Sequence, residues 1–147
     1  MIDKKFIGHE FKPFSTTIEK GRLKFFAKAI GETNPIYFNE EAAKAEGHKS
    51  VLAPPTFPFT LSLESDDPFP VVTALKLEIG RILHGSQDFE YFAPIYAGDE
   101  ITVSSKIVNI FDKKGGALEF VALQYSFTNQ DGELVATSTN TLVYRNG

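Results

Sequence analysis

Cysteine is absent from the 147-residue sequence, and several chemistries are excluded with it. Disulfides, thiolate metal sites and a cysteine nucleophile all need the missing thiol. A chain without disulfides suits the cytoplasm, which is the localisation that we predict. The three histidines, His9, His48 and His84, lie far apart in the sequence. Because zinc sites usually combine closely spaced ligands, we expect no metal and no other cofactor.

Clusters of positive charge and long apolar runs are also missing. The net charge is −4, and the only adjacent basic pairs are Lys4-Lys5 and Lys113-Lys114. Nucleic acid is therefore not an expected partner, since binding it requires a row of cations facing the phosphates. No apolar run approaches about 18 residues, and residues 1–5 lack the apolar core of a signal peptide. We expect no membrane partner either.

The remaining composition is that of one globular domain. Residues 1–147 fit a single domain by length. Hydrophobic residues make up 42% and charged residues 23%, which is ordinary for such a domain. Phenylalanine is frequent, with 14 copies. This excess fits a tightly packed core or an aromatic-lined ligand site, and both can hold together.

The first half of the sequence begins with a predicted helix over residues 16–30. Thr16 and Glu19 have the spacing of a capping box. Apolar side chains then recur at intervals of three or four as far as Ile30, which is the period of a helix with one buried face. Gly31 follows as a natural terminating residue.

Two further helices are predicted before the sequence changes character. Asn39 is a suitable N-cap for a short helix over 40–46. Residues 57–64 have the pattern of an apolar helix that follows two prolines, with Thr56 as its cap. Residues 71–82 fit a helix or irregular structure equally well.

The second half of the sequence has the pattern of β-strands. Apolar and polar residues alternate over 101–107 and 121–128, and β-branched residues dominate 134–144. Residues 113–116 and 129–132 have the composition of hairpin turns. Neighbouring strands joined by short turns form an antiparallel meander, whose apolar face needs a cover. The apolar helix is the natural cover, and the fold class is therefore α+β.

Four segments, in this order, carry a resemblance to a known family. They are FAKAIGETNPIYFNEEAAKAEG at 26–47, VLAPPTF at 51–57, LHGSQDFEYFAPIYAGDEI at 83–101 and TNQDGELVATSTNTLV at 128–143. Together they resemble the MaoC-like acyl dehydratase/hydratase family, and within it the N-terminal-type dehydratase domains. The resemblance covers almost the whole chain. It implies the hot-dog fold, in which a long antiparallel sheet wraps around a central helix.

Residues 31–37 match the family's catalytic motif except at its two chemical positions. The motif reads Gly-Asp-x-Asn-Pro-Ile-His, and its Asp and His together activate a water. In this chain Glu32 stands at the Asp position and Tyr37 at the His position. The usual dyad of the family is therefore replaced.

The resemblance implies reversible hydration of a trans-2-enoyl thioester carried by coenzyme A or acyl carrier protein. Water must be activated for attack at C3, a proton must reach C2, and the thioester oxygen must be stabilised as enolate character develops. A backbone N–H at a helix start suits the last task. Pro55, Thr56 and Phe57 are the matching candidates for this substrate contact.

Each replaced position has two interpretations. Glu32 either still positions a water or is a polar turn residue that caps nearby backbone. Tyr37 is a poor base at neutral pH, because a phenol has an ordinary pKa near 10. It either packs structurally or donates a hydrogen bond in a partner's site. Asn34 fixes the turn and presents its neighbours to the substrate.

The third matching segment supplies the remaining candidates. His84 is either a relocated base or a strand histidine beside the acyl groove. Gly85 permits close approach of another backbone or of a ligand, and Gln87 lines the same groove. The candidate catalytic residues are thus Glu32, Tyr37 and His84.

Several functions follow from the replaced dyad. In the leading hypothesis, the chain is the substrate-channel half of a dehydratase/hydratase, because chains that lack the dyad are known in this family as half-sites of a hot-dog pair. The alternatives are a homodimeric hydratase that uses Glu32 with His84, and an acyl-CoA-binding module without chemistry. A thioesterase is more distant, since the hot-dog fold also hosts such enzymes.

Overall fold

Five antiparallel strands form one sheet in the computed structural model, which describes residues 1–147. The strands are β1 Glu10–Thr17, β2 Ile82–Tyr91, β3 Glu100–Lys113, β4 Leu118–Thr128 and β5 Leu134–Arg145. Their spatial order is β1-β3-β4-β5-β2. The predicted meander, β3 to β5, is confirmed with both of its hairpin turns. β1 and β2 lie at the two edges.

Four short helices lie among the first 75 residues. They are α1 Lys20–Ala29, α2 Glu40–Ala45, α3 Pro58–Leu61 and α4 Pro70–Leu75. The predicted cap of α2 is confirmed, because the side-chain oxygen of Asn39 accepts a hydrogen bond from the Ala42 N–H at 2.9 Å. None of the helices is both long and apolar enough to span a bilayer.

The predicted start of the first helix is wrong. Thr16 belongs to β1, where it pairs with Ile101 of β3, and its side chain therefore does not cap a helix. Glu19 is the N-cap of α1, and its side chain makes no capping hydrogen bond. The predicted end is confirmed: Gly31 has a φ of +75° and its N–H donates to the Lys28 carbonyl at 3.1 Å.

The predicted helix over 57–64 forms only as the single turn α3. Phe57 is its N-cap and makes no side-chain capping bond, so Thr56 is not a cap. The hydroxyls of Thr60 and Ser62 donate to the carbonyls three residues earlier, which competes with continued helix formation. Helical structure resumes at α4, so the segment 71–82 that the sequence left open is α-helical only as far as Leu75 and then forms a 3-10 turn, Ile79–Arg81, before β2.

The helices cover one face of the sheet. Their anchors are Leu23 of α1, Leu61 of α3 and Val71 of α4, together with Phe57. The sheet contributes the side chains of a continuous core, namely Ile101, Val103, Ile107, Val121, Phe127 and Val135. The one-turn helix α3 is thus packed against the sheet, as the α+β prediction requires.

A bulge between His84 and Ser86 brings β2 and β5 unusually close at Gly85. A Cβ on Gly85 would lie 2.8 Å from the Thr141 carbonyl oxygen and 2.8 Å from a methyl of Val143. The close approach that Gly85 permits is therefore made by β5 of the same chain.

Replacing Gly85 by alanine should lower the free energy of unfolding by about 1–3 kcal/mol, because the added methyl overlaps a backbone carbonyl. Gly21→Ala in α1 is the matched control, since its Cβ meets nothing within 4 Å. We expect that control to raise the free energy of unfolding by about 0.5–1 kcal/mol. Urea unfolding measures both, and equal midpoints for the two variants would contradict the packing described for Gly85.

Candidate functional site

The motif turn, residues 31–37, is held rigidly by its own side chains. The Glu32 N–H donates to the Ala27 carbonyl at 2.9 Å, which fixes the turn to the end of α1. One carboxylate oxygen of Glu32 accepts the N–H groups of Thr33 at 2.8 Å and Asn34 at 3.0 Å. These two donors, Asn34 first, hold the pKa of Glu32 below its ordinary value. The carboxylate is thus ionised and engaged by its own turn.

Asn34 also stabilises the motif turn through a side-chain hydrogen bond to the backbone. Its side-chain oxygen accepts the Ile36 N–H at 3.2 Å and caps the 3-10 turn Pro35–Tyr37. Ile36 is buried against Ala43 of α2 and Leu52. The turn therefore has a small core of its own, which places Tyr37 at the surface of the site.

Tyr37 is half-buried, and burial raises the pKa of its phenol. The negative charge of Glu32 raises the pKa further. The phenol therefore stays protonated at neutral pH. It can donate a hydrogen bond, but it does not replace a histidine as the base that activates water.

Tyr37 lines a cavity of about 360 Å³, which we call the mouth cavity. The other side of this cavity is formed by β2, whose Tyr91 hydroxyl donates to the Pro55 carbonyl at 2.5 Å. Its walls are mostly apolar: Leu52, Ala53, Pro54, Pro55, Pro58, Phe92, Ala93, Pro94, Ile95 and Ala136. A cavity with mostly apolar walls suits a substrate whose polar group makes only a few hydrogen bonds to the protein.

Only one of the three predicted thioester contacts offers a free backbone donor. Pro55 has no N–H, and the Phe57 N–H already donates to the Pro54 carbonyl at 2.9 Å. The Phe57 side chain is only 1% exposed and belongs to the core. Thr56 is exposed, and its N–H has no acceptor within the chain. Thr56 is therefore the one backbone donor of this segment that can meet a substrate oxygen.

His84 lies at a different cavity from Tyr37. This apolar cavity has a volume of about 290 Å³ and lies between the sheet and the segment from α3 to α4. The His84 ring stacks on Phe59 with centroids 6.0 Å apart, and its Nε2 lies 3.0 Å from the Ser86 carbonyl oxygen. Within one chain, the structure does not bring His84 together with Glu32 and Tyr37.

Gln87 lies between the two cavities on the inner face of β2. It pairs with Asn140 of β5, which lines the apolar cavity, whereas Ala136 of the same strand lines the mouth cavity. Its amide nitrogen donates to the Ser138 hydroxyl, and its amide oxygen is buried without a partner. This inner face of β2 and β5 is the sheet surface that runs from one cavity to the other.

Sequence reasoning missed two tyrosines of the site. Tyr91 closes the mouth cavity against Pro55. Tyr125 lines the apolar cavity, where burial raises the pKa of its phenol to about 12. The alternation of β4 places Tyr125 on the apolar face, but alternation alone does not separate a cavity wall from a packed core.

Comparison with known proteins places this site in a family. Residues 5–138 match the family described as the FAS1-like dehydratase domain region. The chain belongs to this family. A relative, the UPF0336 protein of Streptomyces griseus, is 37% identical to this chain over 146 residues. The match covers 98% of this chain and 95% of the relative.

Solved structures agree with this assignment. A chain of the HadBC complex of Mycobacterium tuberculosis, a (3R)-hydroxyacyl-ACP dehydratase, superposes with a TM-score of 0.80 and 26% identity over 93% of this chain and 96% of that one. A MaoC-like dehydratase superposes with a TM-score of 0.86 and 23% identity, over 95% of this chain and 42% of that one. The MaoC-like dehydratase family and the hot-dog fold predicted from the sequence are thereby confirmed.

Proposed function

We propose that this chain is the substrate-channel half of an acyl-thioester dehydratase/hydratase, paired with a hot-dog subunit that supplies the catalytic Asp and His. The observation that carries the proposal is the motif turn. Its scaffold is intact, yet Glu32 is engaged by its own backbone and Tyr37 stays protonated. The similarity to a chain of the HadBC dehydratase complex supports a paired enzyme.

The chain holds the substrate in the following way. The thioester lies at the mouth cavity, where the free Thr56 N–H donates to the carbonyl oxygen as negative charge develops on it. The partner's dyad lies opposite, transfers the water oxygen to C3 and returns a proton to C2. In the dehydration direction the same bonds break, and water leaves from C3.

The acyl chain runs along the inner face of β2 and β5 into the apolar cavity. Twelve of the 17 residues around this cavity are hydrophobic, which suits a saturated hydrocarbon chain. Each buried methylene contributes about 0.8 kcal/mol. In this proposal, this chain therefore selects the length of the acyl chain, and its partner carries out the hydration or dehydration.

Of the two sheet edges, the β2 edge is the surface for the partner subunit. β2 pairs only with β5, and its outer edge presents unpaired backbone groups. The exposed apolar side chains on or next to this strand are Ile79, Leu83, Tyr91 and Phe92, which also line the two cavities. An edge of this kind is usually covered, and pairing with a second hot-dog sheet covers the strand and its apolar border together.

The proposal is tested by co-expressing the chain with a hot-dog chain that carries Gly-Asp-x-Asn-Pro-x-His, followed by an assay of crotonyl-CoA hydration. We expect turnover by the complex and none by the chain alone. Glu32→Gln and Tyr37→Phe should leave kcat within about twofold, because neither side chain transfers a proton. Asp→Asn in the partner's motif is the positive control for loss of activity.

Other outcomes would assign a different function. Turnover by the chain alone that is lost in Glu32→Gln and His84→Ala would make it a self-sufficient homodimeric hydratase. Calorimetric binding of acyl-CoA without turnover in any complex would make it a binding module. Release of free thiol in place of hydration would make it a thioesterase.

A further inference from the structure

A row of polar side chains crosses the helix-covered face of the sheet. Tyr125 of β4 pairs with Ser138 of β5 on one side and with Ser105 of β3 on the other, so the three side chains share one face. We call Ser138, Tyr125 and Ser105 the polar row. The positions that flank it on the same face of β3 and β4 are all apolar: Val103, Ile107, Leu123 and Phe127. The polar row therefore interrupts an otherwise apolar core.

Core stability does not account for the polar row. Tyr125 is 7% exposed and Ser138 is 2% exposed, and a hydroxyl buried at such a position needs a hydrogen bond to offset its desolvation. The Ser138 hydroxyl accepts a hydrogen bond from the Gln87 amide nitrogen, but the Gln87 amide oxygen is buried without a partner. Polar groups that are kept in a core at a cost in stability indicate a function.

The Tyr125 hydroxyl has a hydrogen that the chain does not use. It lies close to the Ser62 hydroxyl, which donates its own hydrogen to the Phe59 carbonyl at 2.6 Å. The Tyr125 hydroxyl donates to no group of the chain. Burial raises the pKa of this phenol to about 12, so it stays protonated at neutral pH. Because a buried tyrosine hydroxyl usually has a partner, the missing acceptor is expected from a ligand.

Tyr125 lies at the boundary between two cavities. The first is the apolar cavity that receives the acyl chain in the proposed function. The second, which we call the polar cavity, has a volume of about 480 Å³ and lies between β1 and the segment after α3. Its polar wall residues include Lys12, Ser15, Glu64, Ser65, Asp66, Asp67 and Ser105. Ser62, Pro70 and Tyr125 line both cavities, so the apolar cavity ends at hydroxyls that have a polar space behind them.

The charges around the polar cavity favour a hydrogen-bond donor over an anion. Glu64 pairs with Arg22, which neutralises its charge. Asp66 and Asp67 then outnumber Lys12, the one basic residue of the wall. Carboxylate oxygens accept hydrogen bonds from a ligand, whereas they repel a second carboxylate.

We infer that this chain prefers acyl thioesters whose far end carries a hydroxyl, which binds between the Tyr125 phenol and the polar cavity. The inference rests on the proposed function, and it names the class of acyl group that the channel takes. A hydroxyl accepts the unused hydrogen of Tyr125 and also donates to an oxygen of the polar cavity. A terminal methyl would bury the phenol without a partner, which weakens binding.

This end hydroxyl is separate from the hydroxyl that hydration forms at C3. In the proposed function C3 lies beside the thioester at the mouth cavity, and no residue lines both the mouth cavity and the polar cavity. The two are joined only through the apolar cavity and the sheet surface between them. Recognition of the far end therefore leaves the reacting carbons free for the partner's dyad.

Calorimetric binding to the full chain tests the inference with two saturated ligands, dodecanoyl-CoA and 12-hydroxydodecanoyl-CoA, which undergo neither hydration nor dehydration. We expect the hydroxylated ligand to bind about five- to tenfold more tightly, the effect of one buried hydrogen bond. Tyr125→Phe should abolish this preference, because it removes the donor and keeps the ring. Tyr144→Phe is the matched control, since Tyr144 is 8% exposed and lines neither cavity, and it should keep the preference.

The comparison of the two ligands on the wild-type chain does not depend on whether a variant folds. Equal affinities would overturn the inference and leave the acyl channel of the proposed function standing. A preference that persists in Tyr125→Phe, or tighter binding of the matching thioester with a terminal carboxylate, would overturn it as well. Failure of both ligands to bind would refute the acyl channel together with the inference, and turnover of crotonyl-CoA by the complex would decide the catalytic pairing separately.

Discussion

Replacing Phe57 by alanine will lower the free energy of unfolding by about 3–5 kcal/mol. The Phe57 ring is 1% exposed and meets Phe26 edge-to-face with centroids 5.3 Å apart. The guanidinium of Arg22 lies over the ring, 5.2 Å from its centroid. Because α3 is a single turn, few other side chains hold it against the sheet. Urea unfolding followed by circular dichroism measures the loss.

Phe25→Ala is the control for the Phe57 substitution. It removes the same side chain from a position that is 76% exposed, and it should change the free energy of unfolding by less than about 0.5 kcal/mol. Equal losses in the two variants would contradict the central place of Phe57 in the core.

Replacing Leu142 by tryptophan will reduce kcat/KM for a twelve-carbon enoyl thioester about 100-fold and leave that for crotonyl-CoA within about twofold. Leu142 lies on β5 and lines the apolar cavity. An indole in this place occupies the volume that a long acyl chain needs, and each displaced methylene forfeits about 0.8 kcal/mol. Steady-state kinetics of the complex with its catalytic partner measure both values.

Leu134→Trp is the matched control for the Leu142 substitution. Leu134 begins the same strand and is 41% exposed, so the same chemical change lies away from the cavity. We expect normal kinetics with both substrates. Parallel losses for short and long substrates in Leu142→Trp would mean that the fold, and not the acyl channel, was disturbed.

The strands that the sequence predicted are those with strong alternation, β3 and β4, or with many β-branched residues, β5. β1 was not predicted, because Pro13 interrupts its sequence and its register shifts between Phe11 and Phe14. Proline is tolerated in an edge strand, since one side of such a strand needs no N–H donors. Thr16 was assigned to a helix cap because it forms a two-residue capping pattern with Glu19. In the structure, the pairing of β1 with β3 overrides that short pattern.

The sequence predicts those parts of the candidate site that depend on contacts between neighbouring residues. It does not predict those that depend on tertiary packing. The Glu32 side chain bonds to the backbone one and two residues away, which is one of the two interpretations that the sequence allowed. The separation of His84 from Tyr37 depends on how β2 and α3 lie in space. No spacing along the chain encodes that relation.

The early end of α3 leaves room for the apolar cavity, which holds the acyl chain in the proposed function. The chain leaves the helix after Leu61, and residues beyond it, including Leu63 and Phe69, form a wall of the apolar cavity. One additional helical turn would occupy about 5.4 Å of that space, the length of roughly four methylenes. In the proposed function, a change in the length of this one loop would therefore change the accepted acyl length while the chemistry in the partner stays constant.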